Sequence, residues 1–245
     1  MIAKGKSYDF LENIRGEKRG GATARVVDVL RSAIVMHAFA PGATLDKAKL
    51  CEKLGVSRFP VSEALARLQA QGLVDIQPQR GTTVSLIRLT DVRENMFLRK
   101  ALEAEAVRSL AHGIGVPTLA GLNANIAAQK QVAAADGGKQ DFHELDLAFH
   151  DMLLTALGFP RVKAAAESAR LALDRVRLLL ASPRRNTETV KEHERIVTAL
   201  ERRDGAAAAL AMGDHLDQVM AELMSFARRE PKLFTDWQDW KTDST

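Results

Sequence analysis

At 245 residues the chain is long enough for one large domain or two smaller ones, and its Ala- and Leu-rich, aromatic-poor composition favours helix. No run of about 18 apolar residues occurs, so no membrane span is expected; a lone cysteine, Cys51, excludes an internal disulfide, and the N-terminus lacks the apolar segment of a secretory signal, so a cytoplasmic protein is expected. Charge is uneven: residues 1–84 carry 13 Lys and Arg against 8 Asp and Glu, and the remainder 22 against 23, which points to a polyanion-binding module joined to a near-neutral one.

Residues 1–21 read as a flexible basic arm. Residues 22–86 read as a winged helix-turn-helix. ATARVVDVLRSAIVMHA (22–38) is helix-periodic, and Pro41-Gly42 breaks the chain. DKAKLCEKL (46–54) makes a short helix that Gly55 ends, with Cys51 as a packing residue. Ser57 is placed to cap a helix over 58–71, with Val61, Ala64, Leu65 and Leu68 inward. LVDIQ and GTTVS, separated by PQR, make a two-stranded wing. In such a motif the second helix of the pair enters the major groove by its N-terminal end. Arg58, Phe59, Ser62, Glu63 and Arg67 lie off the apolar face there; Arg58 suits a guanine edge or a phosphate, and Ser62 suits either weakly. The wing tip supplies Gln79, Arg80, Gly81 and Thr82 to the DNA backbone or minor groove. A winged helix used only for protein contacts is the competing reading; the basic balance and the small polar wing tip favour DNA.

SLIRLT (85–90) is a connector. From 91 to 229 the chain reads as an all-α antiparallel bundle, with helices near 91–112, 117–136, 139–157, 160–182, 187–203 and 204–229. Residues 230–245 form a tail carrying both tryptophans in LFTDWQDW. Within the bundle, LDLAFHDMLL (145–154) puts Asp146 and His150 on the same stripe as Phe142, Phe149 and Leu153. His193 shares a stripe with Val190, Val197 and Leu200, and His215 with Met212, Leu216 and Val219. A buried carboxylate is costly unless something pairs with it. One Asp oxygen and three imidazoles suit a divalent transition metal such as Zn, Ni or Mn. Spacing alone leaves three separate core histidines as an equal alternative. His112 and His143 read as solvated side chains at the bundle's edge.

PGATLDKAKLCEKLGVSRFPVSEALARLQAQGLVDIQPQRGTTV resembles the DNA-binding domain of the GntR family of bacterial transcription regulators, through the frame PG-x-x-L, LGVSR-x-PV-x-EAL-x-RL, GLV and RG-x-x-V. The chain departs from the family where Lys47, Ala48 and Lys49 replace a Glu-Arg-Glu-like stretch and where Ser62 replaces an arginine. Two arginine contacts to DNA are therefore missing, and Lys47 and Lys49 are expected at phosphates instead. The helical part resembles the effector-binding domain of the FadR-type branch of that family, with the six helices of its VanR-like subgroup. The D-x-x-x-H of LDLAFHDMLL, EHERIVTAL around His193 and MGDHL around His215 match its metal-binding variant, and LRKALEAEAVRSLA its first long helix.

The resemblance implies that Asp146, His150, His193 and His215 hold the metal and that Arg99 points into an effector pocket. The periodicity leaves Arg99's face ambiguous, and a surface pair with Glu103 competes. The combined expectation is a transcription regulator, not an enzyme: a homodimer on double-stranded operator DNA, with a metal and a small organic-acid effector bound between Arg99 and that metal. A metal-dependent enzyme with a DNA-targeting domain is the alternative, but Glu144, Glu192 and Glu194, which neighbour the ligands, belong to no recognised catalytic motif. A regulator whose metal is purely structural is the other.

Overall fold

The computed structural model describes residues 8–14, 21–135 and 138–242. The chain forms two compact units, one running to Arg88 and resumed at Lys232, the other Leu89–Pro231.

In the first unit α1 (Ala22–Val35), α2 (Lys47–Leu54) and α3 (Arg58–Ala70) enclose an apolar core around Leu30, Ile34, Leu50, Leu65 and Leu68. Asp46 starts α2, its carboxylate accepting the Ala48 and Lys49 amides at 2.8 and 3.2 Å, and Gly55 ends it at φ 67°. Ser57 occupies the cap position of α3, but its side chain accepts no bond, contrary to the expected cap.

The wing is wider than expected. β2 (Val74–Gln77) and β3 (Gly81–Val84) pair antiparallel, and β1 (Thr44–Leu45) adds a third strand beyond β3, with Thr44 opposite Thr83. Two residues cannot display an alternation of period two, so β1 left no pattern to read. Gln79 at φ 62° and Gly81 at φ 96° turn the chain between β2 and β3.

Residues 8–14 correct the expectation of a flexible arm. Tyr8, Leu11 and Ile14 are buried in the first unit's core. The Asp46 amide donates to the Tyr8 hydroxyl at 2.7 Å, and the Ile14 amide to the Leu54 carbonyl at 3.2 Å. The segment is a strap held by three apolar anchors within a basic stretch. The rest of the expected arm lies outside the described residues.

The C-terminal tail also joins this unit. Ile87 and Phe234 form a parallel bridge, with the Ile87 amide donating to Leu233 at 2.9 Å and the Thr235 amide to Ile87 at 3.0 Å. Phe234 and Trp237 are buried, and the short α10 (Trp237–Thr242) follows.

The second unit has six helices among its described residues: α4 (Leu89–Ala111), α5 (Val116–Ala134), α6 (Lys139–Leu157), α7 (Pro160–Leu180), α8 (Pro183–Glu201) and α9 (Gly205–Arg229). Gly158 at φ 73° closes α6, and Pro160 opens α7. α8 starts four residues before the expected 187, because Pro183 sits inside its first turn and Ser182 caps it through the Arg185 amide. Asp204 caps α9 through the Ala207 amide at 2.9 Å. α4 packs on α9, α7 and α6, and α8 packs on α9 and α5. No helix among the described residues is long and apolar enough to cross a membrane.

Candidate metal centre and DNA-reading face

Asp146 and His150 come from α6, His193 from α8 and His215 from α9, and all four are buried. One ligand atom from each lies within 4.8 Å of the others. Asp146 Oδ1 is 3.7 Å from His193 Nε2 and 3.9 Å from His150 Nε2. Ligands at about 2.1 Å from a shared ion can stand up to about 4.2 Å apart, so small rotamer shifts close the set.

The other ring nitrogen is hydrogen-bonded in His193 and His215 and lies against a carboxylate in His150. Gln129 Oε1 lies 2.9 Å from His193 Nδ1, and Glu192 Oε2 lies 2.7 Å from His215 Nδ1. Glu103 Oε2 lies 2.6 Å from His150 Nδ1, close enough for an ion pair though off the hydrogen-bond line. These partners are themselves anchored. Gln129 donates to Asn125, and Asn125 to the Leu145 carbonyl; Arg185 grips Glu192 with two bonds of 2.7 Å. Phe149 stacks flat on His193, with ring centroids 3.9 Å apart.

In His193 and His215 Nδ1 is hydrogen-bonded from behind, in His150 it faces the Glu103 carboxylate, and in each ring Nε2 is the other nitrogen. All three Nε2 atoms are buried without a hydrogen-bond partner. A buried polar atom left unpaired costs about 1–3 kcal/mol, so three such nitrogens clustered with a carboxylate, two of them within 4 Å of its Oδ1, call for a shared donor or cation. The residues present fit a divalent transition ion, which takes neutral imidazole nitrogens and a carboxylate.

Electrostatics favour that protonation state. Burial pushes His193 and His215 well below the usual histidine range, aided at His193 by the charge of His215 and at His215 by that of His150. Burial also lowers His150, against the opposing pull of Glu103. Burial acts to raise Asp146, but the Arg177 guanidinium and the imidazoles outweigh it and hold the carboxyl far below its usual range. With the imidazoles neutral near pH 7, Arg177 carries that stabilisation. Its Nη1 donates to Asp146 Oδ2, and its Nη2 to Oδ1 at 3.1 Å.

Arg99, the residue expected in the effector pocket, lies in the interior of the second unit. It is 0% exposed, and its guanidinium bonds Glu103 at 2.6 and 3.2 Å, leaving only Nη1 without a partner. The pairing with Glu103 is the one the spacing allowed, but it is buried rather than on the surface. A cavity beside Asp146 is lined instead by Lys139, His143, Arg177, Arg185, Asn186 and Thr189. His143 is accordingly no solvated edge residue: its Nε2 lies 3.7 Å from Asp174 Oδ1, and both side chains are largely buried. His112 is exposed, as expected.

In the first unit Lys47, Lys49, Arg58, Phe59, Ser62, Arg67, Arg80 and Gly81 are all exposed. Lys49 Nζ lies 5.9 Å from the Tyr8 ring, and Arg67 pairs with Glu63 at 3.3 Å. Thr82, expected at the DNA, has its side chain buried. It is 2% exposed, because alternation along β3 turns its side chain inward.

A model of the gntR family of bacterial regulatory proteins matches residues 22–84, and a model of the FCD domain matches residues 94–218. The HTH-type transcriptional repressor RspR of Escherichia coli K12 is 30% identical over 213 residues, covering 86% of this chain and 93% of that protein. This chain belongs to the GntR family. It is a DNA-binding transcription regulator with an FCD domain as its second part.

The LutR regulator of Bacillus subtilis is 28% identical over 73% of this chain and 90% of its own length. The fold matches McbR/YncC of Escherichia coli with a TM-score of 0.70, at 22% identity, over 84% of this chain and 98% of that one. In the FCD domain, reading the helical stripes found all four ligand-type residues but missed Gln129, Glu192 and Arg177 as their partners. Gln129 and Arg177 stand on helices with no ligand, so no spacing could signal them. Glu192 precedes His193 and could be noticed only as a neighbour. In the GntR domain the exposed basic residues were legible because they fall off an apolar stripe.

Proposed function

We propose that the FCD domain holds a divalent transition ion through Asp146, His150, His193 and His215 and responds to a small organic acid bound in the adjoining cavity. The observation that carries this reading is the trio of buried, unpartnered Nε2 atoms in a four-residue cluster with Asp146, in which one ligand atom of each residue lies within 4.8 Å of the others. When bound, such an ion supplies a positive centre for an acid oxygen. Arg177 reaches Asp146 and lines the cavity, so its fork can orient a carboxylate there; Arg185 and Lys139 add positive charge. Arg99 serves instead as the counter-ion of Glu103, which in turn steadies His150.

The regulator acts as a homodimer on a two-fold operator, Arg58 and Arg67 facing the major groove and Lys47, Lys49, Arg80 and the Gly81 backbone meeting phosphates. Phe97 and Leu98 stand exposed on α4 and offer an apolar face to a second copy. A regulator is preferred to an enzyme because Glu103 and Glu192 are committed to arginines and imidazoles, which leaves neither as a base.

The test is calorimetric titration of Zn, and then of a panel of sugar acids and dicarboxylates, into wild type and Arg177→Lys. Lysine keeps a charge beside Asp146 but lacks the fork, so acid affinity should fall about tenfold or more while metal binding persists. Protein purified without chelator that contains no metal, and that shows no thermal shift with Zn, Ni or Mn, overturns the proposal.

A further inference from the structure

The N-terminal end of α3 carries an anomaly. Phe59 is 77% exposed, although its neighbours Pro60 and Val61 are buried in the core. A large aromatic side chain facing water at the second position of this helix gains nothing in the free protein. It stands beside Arg58, and one turn on along the same outer face come Ser62, Glu63 and then Ala66, all smaller or more flexible. Phe59 is therefore the tallest rigid projection of the face that enters the major groove.

Major-groove edges offer one apolar feature, the thymine 5-methyl group, and apolar side chains read it. Ser62 and Ala66 on the same face are short, and Arg58 and Glu63 are flexible, so the groove can approach closely enough for the ring to cover such a methyl. We infer that Phe59 is a specificity-determining residue that reads a thymine methyl in each operator half-site. It supplies apolar discrimination on a face where Ser62 is only a weak hydrogen-bonding reader.

The experiment first enriches operator sequences from a random duplex pool with wild type and with Phe59→Ala. It then compares the wild-type consensus with duplexes in which each thymine is replaced singly by deoxyuridine, which removes only the methyl. For wild type, one thymine per half-site should stand out. Its loss should weaken binding about fourfold, the effect of unburying one methyl group, and loss in both half-sites about fifteenfold. Phe59→Ala should bind thymine and uracil duplexes alike, and its enriched pool should lose the preference at that position. Because Phe59 is exposed, the melting temperature should not move, and Phe59→Leu should keep part of the methyl effect. A wild type indifferent to every uracil substitution overturns the inference, as does a methyl effect that survives in Phe59→Ala.

Discussion

The two units treat charge in opposite ways. In the first, the core is apolar and the arginines and lysines stand outside, where they can be spent on a ligand without disturbing the fold. In the second, Arg99, Glu103, Asp146, Glu192 and three histidines are buried together, so any ion bound there would draw on the groups that hold the fold. One pair of contacts isolates the difference. Glu63–Arg67 in the first unit and Arg99–Glu103 in the second are both four residues apart on a helix, at 3.3 and 2.6 Å. The first is about half exposed and the second is almost wholly buried. An exposed helical pair contributes about 0.3–0.5 kcal/mol, whereas removing one member of a buried pair strands the other at about 3–5 kcal/mol.

The sharpest way to break the comparison is to cut both pairs in the same manner. Glu103→Gln should destabilise the second unit by about 3–5 kcal/mol, because Arg99 keeps its charge and loses its counter-ion. Glu63→Gln should cost the first unit less than about 0.5 kcal/mol. Denaturant unfolding measures both, and similar losses at the two sites would contradict the contrast.

Chelation comes next. If the ion stabilises only the unit that holds it, free metal at about 1,000 times its dissociation constant adds about 4 kcal/mol there. Stripping it should lower that unit's melting temperature by about 10 °C and leave the winged helix unchanged. Calorimetry with and without chelator reads this; a shift confined to the first unit would refute it.

The most gradual effect is pH dependence of the metal-free protein. His150, His193 and His215 sit below their ordinary value of 6.5 when folded. Below pH 6.5 the unfolded chain therefore binds more protons than the folded one, and stability is lost as pH falls further. The slope should approach about 1.4 kcal/mol per pH unit for each of the three histidines, beginning near 6.5 rather than in the carboxylate range. Thermal melts at successive pH values test it; replacing His193 with Gln should flatten the slope.

The stripes on α6, α8 and α9 made the buried cluster of Asp146, His150, His193 and His215 legible, because a helix turns every such residue on its apolar face toward the core. The exposed basic face of the first unit was legible for the complementary reason. A two-residue strand, a strap of three apolar anchors and a C-terminal segment that returns to pair with Ile87 were not, since each is decided by distant partners. Arg99 shows where reading by face stops. Its position allowed a pair with Glu103, but sequence could not say that the pair is buried. Nor could it say that Arg177, 31 residues beyond Asp146, is the cation that reaches it. Local periodicity determined which residues face inward; only the packing of six helices decided which inward charges meet, because pairing a buried charge depends on distances between helices that no single helix encodes.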